Sequence, residues 1–393
     1  MNDSVSNPGR NLTTPSGALD SQAYQLRVEF TGSGSEYFRI WIVNLLLLLV
    51  TLGIYYPWAK VRRLRYFYGN TLVDGEPLDF HGNPLKMLKG YLLVGLLFGL
   101  YSVAGNFSAM AGFVAFVIVT AIWPALLKSS MQFRMANTSW RGLRFGFRGS
   151  LGDAYRAVLP MFLPGLVILG AVTGIADPSK PPNWYGFVVL AVTLVSLGVA
   201  PWLLWNLKQY QHNHYALASL QTSFKATLGS FYKVIFKTVG VMLLAALLTA
   251  AVFAAIAFAG GAMGRVGKGM AVFVAIFGFI ATTIAMLVVV KPYVISRMQN
   301  LVWTRTGNAS LRFLSHLRFR ALLGLTLKNW LLVIVTLGLY WPFAAVALAR
   351  IRLEAVTVKS RVSPDTLVSQ MRAVEGDAAG DAAGDMFGID IGL

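Results

Sequence analysis

The residue types that perform covalent chemistry are scarce in this chain. It holds four histidines (His81, His212, His214 and His316) and no cysteine. Without thiols there are no disulfides, thiol nucleophiles or thiolate metal sites. The "HNH" at 212–214 sets two imidazoles two residues apart. That spacing opposes them on a strand and splays them on a helix, and no carboxylate cluster stands beside them. The pair therefore reads as interfacial polar residues. The chain has no phosphate-cradling glycine loop, no HExxH helix and no serine elbow. The Gly-rich "GSGSE" (32–36) lacks a preceding strand of the dinucleotide-binding kind and reads as a turn before a helix. We expect no catalytic residues, no cofactor, no metal and no enzyme activity.

The side chains left for function are cations and amides. The chain has 34 Lys and Arg against 16 Asp and Glu, a net charge of +18. Four segments, 57–90, 128–156, 208–237 and 291–328, hold 23 of those 34 cations and only four acidic residues. Each lies between long apolar stretches, so the charge is no nucleic-acid footprint. The positive-inside rule places all four segments in the cytoplasm. The plain reading is topological charge. The functional one is capture of anionic headgroups or a phosphate-bearing ligand, with Lys60, Arg62, Arg63, Arg65, Arg141, Arg144 and Arg148 as the candidate headgroup or interfacial residues. Asn44 and Asn329 are candidate interhelical polar residues, since an amide bonding across helices in a membrane contributes about 0.6–2 kcal/mol. Their equivalent positions predict that the first and last segments pack together. Membrane lipids are the expected partners, with no nucleic acid.

The elements that must position these groups follow from hydropathy. Hydrophobic residues make up 56% of the chain and charged residues 13%, about half the roughly 25% of a soluble domain. Residues 90–127 run 38 positions without a charge, which is room for two membrane helices. Residues 157–205 and 238–290 each hold two more, joined near "ADPSKPPNW" (176–184) and "GGAMGRVGKG" (260–269). Alternating ten-residue segments of a membrane β-barrel are missing. The expected fold is all-α, a multi-pass transmembrane bundle built from internal repeats, with short extended or interfacial segments on the cytoplasmic side. The small-residue run 245–262 reads as a packing face. The expected organisation is a disordered tail over 1–25, a membrane domain over 26–360, and an acidic disordered tail over 361–393. Residues 1–36 are polar and show no cleavable signal peptide.

A repeat runs through the membrane domain. With Pro57 set over Pro124, residues 56–82 lie over 123–149 without a gap. Asn70-Thr71 then meets Asn137-Thr138, and Phe80 and Gly82 meet Phe147 and Gly149. Weaker copies start at Pro201-Trp202 and Pro292-Tyr293, and a half copy at Pro342-Phe343. The unit is a membrane helix, a Pro-aromatic exit, a basic segment, an extended piece ending in a Phe box, and the next helix. Proline ends or kinks a helix, and the aromatic beside it suits the membrane interface. Val61, Leu64 and Tyr68 at helical spacing predict an interfacial helix whose basic side chains snorkel to headgroups. "LRFGF" (143–147) alternates like a short strand, so such strands are expected to pair into small sheets beneath the bundle.

The stretch "TLGIYYPWAKVRRLRYFYGNT", the "DFHG" box, "NTSWRGLRFGFRG" and the late "TLGLYWPFA" resemble the YjgN family of bacterial inner-membrane proteins, a domain of unknown function. The resemblance covers roughly residues 26–360. It implies a bacterial inner membrane location with many spans, and it brings no catalytic or ligand residues.

Two stretches decide the topology. Residues 40–59 and 329–349 are 20 and 21 residues without a charge, a length that favours full crossing. Eight spans with both termini periplasmic are expected on that ground. Yet only 27 positions separate Phe30 from Pro57, and 29 separate Phe313 from Pro342. The competing arrangement makes these stretches re-entrant or interfacial, with six spans and cytoplasmic termini. The function expected is transport or binding of a small or amphiphilic molecule. The alternative is an envelope structural or interaction protein that holds anionic lipid or a cytoplasmic partner through its basic-aromatic segments.

Overall fold

The computed structural model of the chain describes residues 24–175, 180–262 and 268–378. Most of the expected N-terminal tail, parts of the two loops, and the acidic repeat from residue 379 onward lie outside these bounds.

The chain opens with strand β1 (Tyr24–Phe30), whose alternation buries Leu26, Val28 and Phe30. Helix α1 (Gly34–Val50) follows, its first turn capped by the Ser33 hydroxyl, which accepts from the Glu36 N–H at 3.2 Å. A five-residue turn leads into α2 (Tyr56–Gly69), then β2 (Thr71–Val73) and β3 (Glu76–Phe80). The next section is α3 (Pro84–Phe107), α4 (Ala109–Ala136), β4 (Thr138–Trp140) and β5 (Leu143–Phe147). After it come α5 (Leu151–Val158), α6 (Leu163–Thr173), α7 (Asn183–Asn213), β6 (Tyr215–Leu217), β7 (Leu220–Gln221) and β8 (Ser223–Phe224). Then follow α8 (Leu228–Ala262), α9 (Lys268–Ala285), α10 (Lys291–Thr304), β9 (Thr306–Gly307) and β10 (Leu311–Ser315). The last section is α11 (Phe319–Val335), α12 (Trp341–Leu353), β11 (Val356–Ser360) and α13 (Pro364–Ala378).

All strands join one antiparallel sheet, in the order β7-β6-β5-β4-β3-β2-β1-β11-β10-β9-β8. Its two edges, β7 and β8, are consecutive halves of one extended segment either side of Thr222. β7 pairs with β6 and β8 with β9, so the strands form a ring. β1 against β11 joins the two ends of the chain, with Leu26 opposite Val358. The helices circle above in the same chain order: α2 packs on α3, α4 on α6, α7 on α8, α10 on α11, and α12 returns to α1. The fold is therefore not all-α. A single sheet replaces the small separate sheets expected, because each hairpin edge pairs with the next hairpin's edge, which leaves only β7 and β8 as short edges.

The Phe boxes seat the helices on the ring. Phe80, Val61, Met87 and Phe133 form one buried cluster, and Phe147, Met131, Ala154 and Tyr210 the next. Two residues after Phe80 and after Phe147 stands a glycine. A Cβ on Gly82 would come within 2.4 Å of the Phe80 ring, and one on Gly149 within 2.6 Å of the Phe147 ring. The ring of each Phe folds back over backbone that no side chain may cover.

Among the described residues, six helical stretches are long and apolar enough to cross a membrane, from Pro84–Phe107 to Ile276–Thr304. The two terminal stretches are not among them, which corrects the expectation of eight spans. The 17 residues of α1 reach about 25 Å at roughly 1.5 Å per residue, short of the ~30 Å hydrocarbon core. The chain then turns at Thr51–Tyr55 and comes back, since β1 before the hairpin pairs with β2 after it, Phe30 opposite Thr71. α11 and α12 repeat this, and β10 pairs with β11. In both turns a threonine holds the two helices. Thr51 Oγ1 donates to the Leu47 carbonyl at 2.7 Å and accepts from the Tyr55 N–H at 3.0 Å. Thr336 does the same with Leu332 and Tyr340 at 2.6 and 2.9 Å.

The prolines also differ from expectation. Pro124 and Pro201 lie inside continuous helices α4 and α7, and Pro292 follows a π-helical turn, Met286–Val290, that joins α9 to α10, while Pro57 and Pro342 sit in first turns, where a missing N–H costs nothing. The basic segment after each is accordingly more helix. The tail boundary at 361 moves as well. α13 is folded, and its Leu367, Val368 and Met371 pack with Leu26, Val28, Trp140, Leu143, Leu311 and Val358. Those partners come from separate arcs of the ring, so α13 fills its interior. Arg141 ties the first turn of α13 down, reaching Asp365 at 2.6 Å and Asp74 at 3.4 Å.

Candidate functional site

Above α13 the interior is hollow. A cavity of about 890 Å³ extends from the strand ring up between α2, α4, α10, α11 and α12, with Leu367 of α13 in its floor. Its wall is mostly apolar and aromatic, with Phe67, Trp140, Trp303, Trp330 and Trp341 among the lining side chains. Helical spacing explains this inward face: Ala345, Leu348, Ala349 and Arg352 recur along α12 every three or four residues.

Among the described residues four cations line the cavity, Arg63, Arg134, Lys291 and Arg352, and no carboxylate does. The Arg352 Nε donates to Gln299 Oε1 at 2.9 Å, while Gln299 Nε2 donates to the Arg352 carbonyl at 2.8 Å. Burial works against the charge on Arg352, lowering its pKa. The Arg63 guanidinium stands 5.8 Å from the Phe67 ring. Burial pushes the Tyr68 phenol up, and the Arg134 charge pulls it back. Among the described residues none of the four cations forms a salt bridge.

The seven candidate cations divide by position. Lys60 and Arg63 come together with Arg134 around a smaller pocket beside the main cavity. The Lys60 ammonium donates to the Tyr91 hydroxyl at 3.0 Å. Its pKa is lowered by burial first, then by Arg134 and Arg63. Arg62 and Arg65 are exposed, Arg62 lying 5.7 Å from the Tyr55 ring. Arg141 serves the α13 clamp. Arg144 is exposed on β5, and Arg148 donates to the Ala218 carbonyl at 2.8 Å, bracing the next hairpin. The residue list drawn from sequence omits Arg134, Lys291 and Arg352. A signal for two of them was present: Arg134 stands ten places after Pro124, and Arg352 ten after Pro342.

Asn44 and Asn329 are both 8% exposed, and the side-chain oxygen of each has no hydrogen-bond partner. Asn329 Nδ2 donates to the Ala344 carbonyl at 3.5 Å, within its own hairpin. The first and last hairpins do touch, but through α1 and α12. The rings of Phe38 and Phe343 are 5.9 Å apart, and Arg350 donates to the Gly32 carbonyl at 2.8 Å. The histidine pair diverges: His212 is buried against Thr306 Oγ1 at 3.0 Å, and His214 Nδ1 faces the Tyr210 carbonyl at 2.7 Å. Among the described residues no three His, Asp or Glu side chains gather as metal ligands do.

The fold and its cavity define a multi-pass helical membrane protein with a basic, largely apolar chamber at its centre. Its residues 25–386 match the profile described as "Bacterial protein of unknown function (DUF898)", and the chain belongs to that family. It is 35% identical over 137 residues to the inner membrane protein YjgN of Salmonella typhimurium, covering 34% of this chain and 35% of that protein. It is 28% identical over 176 residues to the inner membrane protein YjgN of Escherichia coli K12, covering 43% of this chain and 42% of that protein. The matched stretches thus span less than half the length of these relatives. No solved structure matches. The chain is a YjgN-type protein of the bacterial inner membrane.

Proposed function

We propose that this protein takes an anionic amphiphile, a phosphate-headed acyl lipid, from the membrane into its central cavity. The observation that carries this is the charge of the lining: four cations without a carboxylate on the wall of a mostly apolar chamber. All four side chains are exposed, so they can meet an anion that enters the chamber, and like charges that face one space are relieved by it. The apolar remainder of the wall suits an acyl chain, and the volume lies within the range of ligand sites, about 300–1,000 Å³. Entry runs over the two short hairpins. Trp330, Val333 and Trp341, which flank the α11–α12 turn, are themselves cavity-lining, and beside them the helical wall is low.

The same reading places the strand ring, all four basic segments and both termini in the cytoplasm, by the positive-inside rule. It treats the fold as five copies of one unit, each a helical hairpin with a strand hairpin, the first and last shortened in the membrane. It assigns no chemical step to the cavity.

The test is lipid retention. The full chain, purified in a neutral detergent, is compared with Leu348→Trp, which fills the cavity from α12. Mass analysis of co-purified lipid should show anionic phospholipid on the parent protein and at least a fivefold loss on the variant. Equal retention by both would overturn the reading and favour lipid held on the outer basic surface, as in a structural envelope protein.

A further inference from the structure

The smaller pocket has a chemistry of its own. It holds about 220 Å³ between α2, α3 and α4, with Phe80 and Phe133 among its walls. Three cations reach it, Lys60 and Arg63 from α2 and Arg134 from α4, and no acidic residue lines it. None of the three makes a salt bridge among the described residues. Lys60 is oriented by its bond to Tyr91, and its proton affinity is already depressed by burial and by the two arginines. Lys60 is half-buried and the two arginines are exposed, so three like charges meet at one small pocket, and an oxyanion placed there adds an attraction to each that offsets their mutual repulsion. Arginine and lysine together offer a planar fork and a point charge, the pairing that recognises phosphate.

We propose that Lys60, Arg63 and Arg134 form a phosphate-binding site. The shared chemistry is a phosphate oxyanion, from a lipid headgroup or free in solution. Arg63 and Arg134 line the central cavity as well, so a headgroup seated here would leave its chain in the chamber. That geometry rests on the amphiphile reading; the phosphate site itself does not.

Calorimetric titration of the delipidated full chain in neutral detergent tests it. The probes are inorganic phosphate, short-chain phosphatidic acid, and the diacylglycerol with the same chains. Variants are K60Q, R134Q and R134K, with R312Q on the outside of the strand ring as control. Phosphatidic acid binding should fall at least tenfold in K60Q and R134Q, recover in part in R134K, and stay unchanged in R312Q. Diacylglycerol binding should be the same in the parent, K60Q and R312Q, since Lys60 lines the pocket and not the chamber. Inorganic phosphate bound as tightly as phosphatidic acid supports the site with a free-ion source. Phosphatidic acid bound more tightly supports a lipid source. Unaltered phosphatidic acid binding in K60Q and R134Q, or an equal fall in R312Q, overturns the proposal even where diacylglycerol still binds. Should R134Q fail to fold, K60Q at its half-buried position and R134K still decide the outcome.

Discussion

Leu52 and Leu337 have the same backbone: φ is 49° at both, and each is followed by a glycine, Gly53 at 94° and Gly338 at 93°. The leucines are 93% and 95% exposed. These are the turns of the two short hairpins, and they account for the recurrence of "TLGIYYP" and "TLGLYWP" at the two ends of the chain. A left-handed leucine costs roughly 1–2 kcal/mol, so an apolar side chain is held at the tip against local strain. An exposed leucine at each tip is at home in hydrocarbon and out of place in water.

That strain is measurable. Gly338→Val places a branched residue at positive φ and should lower the melting temperature in detergent, by at least the equivalent of about 1 kcal/mol. Leu337→Gly relieves the left-handed position and should leave the protein as stable or more so. A Gly338→Val protein that melts with the parent would show that the turn is not as described.

The returning hairpins fix where the C-terminus lies. Because both terminal hairpins turn back, with β1 pairing β2 and β10 pairing β11, the strands at the two ends lie in the ring. Alkaline phosphatase fused after residue 393 should be inactive, and a cytoplasm-only fluorescent reporter there should shine. Active phosphatase would restore the eight-span arrangement.

Asn44→Leu bears on the buried amides. Because the Asn44 side-chain oxygen is buried without a partner, an apolar isostere relieves a desolvation cost of order 1–3 kcal/mol. Thermal stability should hold or rise. A clear drop would mean that this amide does join α1 to a neighbour, as its position in the sequence suggested.

α13 acts as a plug more through its apolar side chains than its charges. Leu367 is 3% exposed and Met371 2%, so Leu367→Ala should cost about 2–5 kcal/mol. Asp365, whose side chain is 91% exposed, should cost no more than ~1 kcal/mol as Asp365→Asn. Trp140 shares the core with α13 and donates to the Val73 carbonyl at 3.1 Å. Its emission should shift red in Leu367→Ala and stay put in Asp365→Asn.

Lys60 predicts a trade between stability and binding. Its folded pKa lies below the ordinary 10.5, burial being the main cause and Arg134 and Arg63 the rest. The folded state therefore holds this proton less well than the unfolded state. Stability from this group is lowest below the folded pKa and is recovered as pH rises from there through 10.5. The other titratable groups facing it are the phenols of Tyr56 and Tyr91. Lys60→Met should be more stable than the parent at neutral pH and bind phosphate less. A loss of stability at pH 7 would contradict this sign.

Much of the membrane architecture was legible because it is written one residue at a time. Residues 90–127 need only their hydropathy to be read as two spans, and the Pro-aromatic exits and Phe boxes follow from local sterics. The turn at Thr51–Tyr55 was hidden for the same reason. It is made of Leu, Gly, Ile and Tyr, which hydropathy counts as more span, and a positive φ at Leu52 leaves no compositional trace. Strands such as β7 and β8 hold two residues each, too few for a period-two pattern. α13 reads as tail in the sequence because its acidic continuation dominates the composition.

The sequence alone therefore determined the solvent of this protein and the six central crossings, but not that the two terminal stretches turn back, since hydropathy adds along the chain and counts a turn of apolar residues as more span. Only the tertiary structure decided that β1 meets β11 across more than three hundred residues, that α13 floors the ring, and that Lys60, Arg63 and Arg134 share one pocket. Those facts depend on which edges and faces meet when the hairpins come together. No local pattern records that meeting, because each strand hairpin carries the same edges whether or not a neighbour pairs with them.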